Sequence, residues 1–212
     1  MTKRQRAEAA VELLKREYPD AVCSLNYDNP FQLLIATRLS AQCTDARVNM
    51  VTPALFNELP DAKAFSEAAI ERVEELIKTC GLYKTKAKDL IEIGKGICER
   101  FGGRVPDTVE ELTTLSGVGR KTANLVVGDV YGKPAVVTDT HFIRLVNRIG
   151  LTDKKEPFKV ETELRAILPS DESNDFCHRT VLHGRAVCTA RKAYCDKCVL
   201  NNICKKVKVK NV

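Results

Sequence analysis

Residues 115–123 read LSGVGRKTA, a tight glycine turn between helical patterns expected over residues 108–114 and 120–131. Gly117 and Gly119 permit positive φ angles and let another backbone come close, while the amides of the turn and of the following helix start point outward. Such a hairpin can hold a phosphate group. Short glycine turns between helices are also common without any ligand, so the motif alone leaves both interpretations open.

Helical periodicity extends over almost the whole chain. An apolar stripe in the first helix ends before Pro19, and Asn29 is expected to cap a second helix that has Pro30 at its first position. Further helices are expected over residues 45–58, 67–79, 84–100, 140–149, 157–168 and 172–186. No stretch alternates convincingly between apolar and polar residues, as a half-buried strand would. The sequence therefore predicts an all-α fold.

Length and composition narrow the class of protein. A chain of 212 residues with 44% hydrophobic content can bury one large core or two modest lobes. Its N-terminal segment enters an amphipathic pattern without an apolar signal sequence, and no span of 18 apolar residues occurs. We therefore expect a cytoplasmic protein, in a reducing compartment where the nine cysteines do not form disulfides.

Four of the nine cysteines form a compact run near the C-terminus. Cys188, Cys195, Cys198 and Cys204 have the spacing C-x6-C-x2-C-x5-C. Thiolates bind iron–sulfur clusters and structural zinc, and four so close in sequence can surround one centre. Zinc modules usually carry two short C-x2-C knuckles and this run has one, so the spacing favours a [4Fe-4S] cluster, with zinc as the alternative.

The positive charge of the chain is concentrated around this run. Residues 185–210 contain eight Lys or Arg and a single acid, Asp196, which leaves 26 of the 34 basic and 27 of the 28 acidic residues elsewhere. A basic surface of this kind is expected to face a polyanion, although a solvated basic tail would give the same pattern.

Taken together, the hairpin and the cysteine run give the chain a family resemblance. It resembles the endonuclease III branch of the helix-hairpin-helix DNA glycosylases over essentially its full length. The matching segments are LSAQCTD at 39–45, GLY at 81–83, the hairpin with Lys121, VTDTH at 137–141, LHGR at 182–185 and the four cysteines.

The resemblance implies two catalytic residues. Lys121 matches the lysine that attacks the sugar C1′ of a damaged nucleotide, and Asp139 matches the aspartate that stabilises positive charge developing on the deoxyribose. A free lysine has a pKa of about 10.4, so the site must favour the neutral amine. The helix N-terminus and neighbouring Arg120 act in that direction. Without the resemblance, Lys121 would be a phosphate-contacting or solvated lysine and Asp139 a helix cap.

The resemblance also implies which residues contact DNA. Leu82 would be a wedge inserted into the base stack, and Gln42 would contact the base left without a partner. From local sequence alone, Leu82 is equally a helix-end apolar contact and Gln42 a polar turn residue. Gly117, Gly119 and Arg120 would hold phosphate groups. Arg191 and Lys192, between two cluster cysteines, would be held against other phosphates.

The expected architecture is two helical lobes with a DNA-binding cleft between them. Residues 23–134 would form a six-helix lobe with the helix-hairpin-helix, and residues 1–22 with 135–212 a lobe with the iron–sulfur cluster loop. The expected protein is a monomer, associated with the nucleoid through duplex DNA that carries damaged pyrimidines or abasic sites.

The expected activity is that of a bifunctional glycosylase and abasic-site lyase. It would remove oxidised pyrimidines through a lysine Schiff base and β-elimination. Two alternatives remain open: a monofunctional mismatch or adenine glycosylase, which the presence of Lys121 disfavours, and a non-enzymatic iron–sulfur DNA-binding or redox-sensing protein.

Overall fold

The computed structural model describes residues 1–209 and divides the chain into two compact units. One combines Met1–Cys23 with Gly132–Val212, and we call it the cluster unit because it contains the cysteine run. The other, Ser24–Tyr131, contains the glycine hairpin and is called the hairpin unit. Lys210, the last of the eight basic residues counted near the C-terminus, lies outside the described residues.

The hairpin unit is built from seven helices. They are α2 (Pro30–Ser40), α3 (Asp45–Glu58), α4 (Ala62–Glu67), α5 (Ile70–Leu76), α6 (Tyr83–Phe101), α7 (Val109–Leu112) and α8 (Arg120–Asp129). Asn29 caps α2 by accepting a hydrogen bond from the Gln32 amide, and Pro30 is its first residue, as predicted. Helix α2 is buried on nearly all sides, which explains its almost uninterrupted apolar sequence.

A close helix contact organises the core of the hairpin unit. Gly94 of α6 lies against α4, where an added Cβ would be 2.7 Å from the carbonyl oxygen of Ala62 and 2.9 Å from Cβ of Phe65. Phe65 is fully buried and meets the Phe31 ring edge to face, with 5.3 Å between centroids. The absence of a side chain at Gly94 is therefore what lets α4 approach α6.

The prediction of a single helix over residues 67–79 is wrong. The chain forms α4 and α5 instead, with extended backbone at Ala68 and Ala69 between them. Asp61 starts α4 by accepting from the Ala64 amide at 2.9 Å, so the helical region begins before Ser66. The hairpin unit consequently has seven helices where six were expected, one of them only four residues long.

The cluster unit joins the N-terminal helix to the C-terminal third of the chain. Its helices are α1 (Lys3–Glu17), α9 (Thr140–Ile149), α10 (Pro157–Ile167) and α11 (Ser173–Ala186). Phe142 and Phe176 meet edge to face between α9 and α11, with both side chains fully buried. The buried Arg6 of α1 donates to the carbonyl oxygen of Ile203 at 3.0 Å and thereby ties the first helix to the cysteine run.

The all-α prediction is confirmed. Residues 1–209 contain no β-strand, and an isolated antiparallel bridge pairs Cys188 with Ala193. Apart from residues 67–79, the expected helix bounds agree with those observed to within about two residues, the ordinary uncertainty at helix ends. None of the helices in this part of the chain combines the length and the hydropathy that a membrane span needs.

Candidate active site and cysteine cluster

The glycine hairpin packs against a half-buried ion pair between Arg38 and Asp89. Gly117 has a φ angle of +69°, in the left-handed region that favours glycine. A Cβ added there would lie 3.0 Å from Nε of Arg38 and 3.1 Å from Cγ of Asp89. Both guanidinium nitrogens Nε and Nη2 of Arg38 donate to Oδ2 of Asp89. The turn therefore packs so closely against this ion pair that a side chain at Gly117 would require the pair to shift.

Gly119 differs from Gly117 in its backbone conformation. Its φ is −90° with ψ 169°, an extended conformation open to any residue, so the positive φ that glycine permits is not used at this position. Gly119 is the N-cap of α8, no side chain caps that helix end, and no atom lies within 4 Å of an added Cβ. The start of α8 is therefore approachable from outside.

Lys121 lies in the first turn of α8, as predicted. Its side chain is exposed, whereas the opposite face of the helix is anchored by buried residues such as Ala123 and Val126. The Ala123 amide donates to the Gly119 carbonyl oxygen at 3.0 Å, at the start of this helix. Lys121 therefore presents its side chain to solvent at the N-terminal end of α8.

Asp139 caps a helix in the cluster unit. The buried segment 135–138 leads to it, and its Oδ1 accepts a hydrogen bond from the Phe142 amide at 2.7 Å at the start of α9. The capping role considered from sequence is thus present. Lys121 belongs to the hairpin unit and Asp139 to the cluster unit.

Gln42 and Leu82 share an unusual backbone conformation. Both are in the left-handed region, with φ of 54° and 60°, which costs a non-glycine residue about 1–2 kcal/mol. Both are exposed, Leu82 to 59%, and a Cβ added to Gly81 would lie 3.2 Å from the Gln42 carbonyl oxygen. The hairpin unit therefore brings the two loops together and displays both side chains to solvent at a cost in backbone strain.

The four predicted ligand cysteines line one small cavity of the cluster unit. Polar groups converge on their sulfur atoms. Arg148 Nη1 donates to Sγ of Cys188 at 3.2 Å, and the Lys206 amide donates to Sγ of Cys204 at 3.3 Å. No group of three or more His, Cys, Asp or Glu side chains within residues 1–209 meets the geometry for holding a metal ion. The four sulfur atoms nevertheless share one cavity, and the N–H groups of Arg148 and Lys206 that point at them suit thiolates.

A hydrogen-bonded chain leads from α1 to the cysteine cavity. Tyr18 Oη lies 3.1 Å from Nδ1 of His183, and Nε2 of His183 lies 3.2 Å from Sγ of Cys198. Burial lowers the pKa of His183 to about 4, so the imidazole is neutral at neutral pH. A neutral ring that accepts from the tyrosine hydroxyl has its remaining N–H directed at the sulfur. Burial also raises the pKa of Cys198 to about 11.

The loop with Arg191 and Lys192 is built as a tight turn. The Thr189 hydroxyl accepts from the Lys192 amide at 3.0 Å and donates to the Lys192 carbonyl at 2.7 Å. Arg148 Nη1 donates to the Thr189 carbonyl at 2.7 Å. The Lys192 ammonium lies 5.0 Å from the centroid of the Tyr194 ring. Arg191 and Lys192 are consequently exposed on a fixed backbone.

Comparison with known proteins assigns the family. The sequence profile of the HhH-GPD superfamily of base excision DNA repair proteins matches residues 35–170. Endonuclease III of Synechocystis is 48% identical over 204 residues, which cover 96% of this chain and 93% of that protein. The chain belongs to the endonuclease III family. Endonuclease III of Escherichia coli is 38% identical, with 96% of each chain covered.

Solved structures agree with this membership. A trapped covalent intermediate of endonuclease III with DNA, an estranged-adenine complex, superposes with a TM-score of 0.90 at 37% identity and covers 98% of both chains. The resemblance predicted from sequence is therefore confirmed. As an endonuclease III family member, the chain is a base excision repair DNA N-glycosylase with abasic-site lyase activity.

Sequence reasoning missed the residues that support the cysteine loop. Arg144 donates to the carbonyl oxygens of Gly184 and Cys188, at 3.0 and 3.1 Å from Nη2, and Arg148 reaches the same loop. The signal available was their spacing of four residues on α9, which places both guanidinium groups on one face. The contact between His183 and the Cys198 sulfur joins residues 15 positions apart, and no local pattern indicates it.

Proposed function

We propose that this enzyme removes oxidised or ring-saturated pyrimidines from duplex DNA and then nicks the strand, with Lys121 as nucleophile and Asp139 as its carboxylate partner. The observation that carries the proposal is the position of Lys121, exposed in the first turn of α8 directly after the glycine hairpin. A hairpin that binds the phosphates of one nucleotide would present this amine to its sugar.

The chemistry assigns a defined task to each residue. The neutral Lys121 amine attacks C1′, and the glycosidic bond breaks with its electron pair leaving on the base, which takes up a proton. Ring opening at C1′ gives a Schiff base, and loss of a C2′ proton then breaks the 3′ C–O bond by β-elimination. The Asp139 carboxylate stabilises the oxocarbenium-like sugar and assists the proton transfers.

Access to C1′ requires the nucleotide to leave the duplex, at a cost of a few kcal/mol. Leu82 is exposed to 59% and lies on the loop that touches the Gln42 backbone. We assign Leu82 as the apolar wedge and Gln42 as the side chain that hydrogen bonds to the orphaned base. Their left-handed backbone supports this assignment, because strained residues that remain exposed are typical of functional loops.

The remaining contacts are to the DNA backbone. The amides around Gly117 and Gly119, with Arg120, would hold phosphates next to the lesion. Arg191 and Lys192 would neutralise phosphates farther along the duplex, and the rigid turn that carries them limits the entropy lost on binding. With these contacts the protein would act on nucleoid DNA as a monomer.

Cys188, Cys195, Cys198 and Cys204 would hold a [4Fe-4S] cluster. The donor set fits, since four thiols line one cavity and Arg148, His183 and the Lys206 amide direct polar groups at their sulfur atoms. Base excision needs no electron transfer, so the group would supply a covalent anchor for the basic loop. Zinc remains the alternative, and iron and zinc analysis of the purified protein distinguishes the two.

The proposal is tested with end-labelled duplexes that contain thymine glycol, 8-oxoguanine or no lesion. We expect base release and a β-elimination product from thymine glycol and much slower reaction with the other two. Equal activity on 8-oxoguanine would overturn the substrate class. Release of the base with an intact abasic strand would identify a monofunctional glycosylase, and a gel shift without any release would identify a binding protein.

The role of Asp139 needs a variant that separates catalysis from capping. Asn is as good a helix cap as Asp, so Asp139→Asn keeps the hydrogen bond to the Phe142 amide while it removes the charge. We expect unchanged unfolding and a loss in base release of about a hundredfold or more. Asp139→Ala, the matched variant, loses the cap as well. Near-normal activity of Asp139→Asn would show that capping is its only role.

A further inference from the structure

Two cysteines outside the cluster meet in the hairpin unit. Cys43 and Cys80 are 37 positions apart in sequence, yet the Cys43 thiol is close enough to act on the Cys80 thiol. Cys43 directly follows Gln42, and Cys80 directly precedes Gly81 and Leu82. The 3.2 Å approach of Gly81 to the Gln42 carbonyl shows independently that the two backbones touch at this point. The thiol pair therefore lies at the junction of the two exposed loops.

Positive charge surrounds this pair. Lys86 is fully buried, donates from Nζ to the Leu39 carbonyl at 2.8 Å, and interacts electrostatically with both sulfur atoms. Arg47 also acts on Cys80. Desolvation lowers the pKa of Lys86, and burial raises the pKa of Cys80 to about 11, with a further contribution from Cys43. At Cys80 the effect of burial therefore outweighs that of the two cations, which act in the opposite direction.

The two thiols differ in access. Cys43 is partly exposed, whereas Cys80 is only 1% exposed. A small oxidant therefore meets Cys43 first, and Cys80 is already positioned to react with the product. This is the arrangement of an attacking and a resolving cysteine.

We propose that Cys43 and Cys80 are a peroxide-sensitive dithiol that closes to a disulfide and ties the Gln42 loop to the Leu82 loop. The Cys43 thiolate attacks hydrogen peroxide, breaks its O–O bond and becomes a sulfenic acid, with hydroxide as leaving group. The Cys80 sulfur then attacks the Cys43 sulfur and expels a second hydroxide. Both hydroxides take up the thiol protons, so two thiols and one peroxide give one disulfide and two waters.

Closure would change the two loops. A disulfide brings its sulfur atoms to about 2.0 Å, well inside the distance of two unbonded sulfurs in contact, so one or both loops must move. Gln42 directly precedes Cys43 and Leu82 lies two residues after Cys80, and both are already in a strained conformation. Misplacement by about 1 Å is enough to cost an enzyme a large factor in rate. Oxidation would therefore lower base release, a consequence that rests on the proposed function of these loops.

The disulfide itself is tested without any activity measurement. The cluster-loaded protein is treated with a few equivalents of hydrogen peroxide, the remaining thiols are alkylated, and a non-reducing tryptic digest is analysed by mass. We expect a linked pair of peptides 39–47 and 79–84 that separates with dithiothreitol. The linked pair should be absent from Cys43→Ser and from Cys80→Ala. It should persist in Cys98→Ser, the matched control for another partly exposed cysteine of the same unit.

The activity measurement decides whether the disulfide acts on the loops. Base release by the oxidised wild type should be about tenfold or more slower than by the reduced form and should recover with dithiothreitol. In Cys43→Ser the same treatment should change the rate of base release by less than about twofold, because no disulfide can form. This variant also controls for damage to the metal centre, which would slow both proteins alike. A linked peptide with unchanged rate would overturn the loop tether. Alkylation of both cysteines after peroxide treatment would overturn the dithiol itself, whether or not the enzyme releases bases.

Discussion

Replacing Leu82 should separate the stability of the hairpin unit from its function. Leu82 is the residue before α6, with φ of 60° and a side chain exposed to 59%. Leu82→Ala removes the apolar wedge and keeps the left-handed strain. Leu82→Gly removes both. Because glycine adopts this conformation freely, Leu82→Gly should be about 1 kcal/mol more stable than Leu82→Ala.

The loss in activity follows from the exposed area of the wedge. Full burial of a leucine contributes about 1.5–3 kcal/mol, so inserting the exposed 59% of Leu82 into the base stack would contribute about 1–2 kcal/mol. Both variants should therefore release thymine glycol from duplex DNA about five- to thirtyfold more slowly. Cleavage at a preformed abasic site should fall by a smaller factor, because no base has to be unstacked.

Single-turnover base release and denaturant unfolding measure the two effects. Met50→Ala is the matched control, since Met50 is also an exposed apolar residue of the hairpin unit, 70% exposed on α3. It should leave the rate of base release unchanged. A loss of less than twofold in both Leu82 variants, or an equal loss on the abasic substrate, would refute the wedge. Equal stability of the Ala and Gly variants would refute the strain argument.

Three further predictions concern the hairpin, the cysteine cavity and acid stability. Gly117→Ala should lower the free energy of unfolding by about 1–3 kcal/mol, because it places a side chain against Arg38 on a backbone with φ of +69°. Gly119→Ala should change the free energy of unfolding by no more than about 0.5 kcal/mol. Equal effects of the two variants in denaturant unfolding would contradict this prediction. His183→Phe, which removes the ring nitrogen that lies 3.2 Å from the Cys198 sulfur, should speed the loss of bound metal to a chelator, and a wild-type rate of loss would argue against that contact. Hydrogen bonds from Lys15 and Arg179 lower the pKa of Glu172, so the stabilisation of the fold by this carboxylate is present above its ordinary pKa of about 4.5 and is lost as the pH falls through the lowered value. The free energy of unfolding, measured from pH 6 down to about pH 3, should therefore depend less on pH in Glu172→Gln than in the wild type. Identical pH dependence in the two proteins would exclude this contribution.

Local chemistry explains which parts of the fold could be read from the sequence. Asn29 with Pro30, and Asp139 at α9, are helix starts with a specific capping residue, and both appear where expected. The break between α4 and α5 falls at Ala68 and Ala69, where neither glycine nor proline marks it. That break follows from tertiary packing, since α4 is held against Gly94 of α6. No local pattern contains this information.

The same distinction applies to the functional residues. Lys121 and the four cluster cysteines lie within short motifs, so their neighbourhood could be predicted. The contact between His183 and Cys198, the support of the cysteine loop by Arg148, and the meeting of Cys43 with Cys80 all join distant segments. His183 and Cys43 lie in segments that match the family, but nothing in those segments indicates Cys198 or Cys80 as the partner. Only the packed chain shows that each has a chemically complementary partner.

The central claim is that Lys121 forms a Schiff base with damaged DNA. The most direct measurement is borohydride trapping on a thymine glycol duplex, followed by mass mapping of the modified peptide. We expect a covalent adduct on Lys121 in the wild type and in Lys63→Ala, which replaces another exposed lysine of the same unit, and none in Lys121→Ala. An adduct that persists in Lys121→Ala, or base release by the wild type without any adduct, would contradict the account.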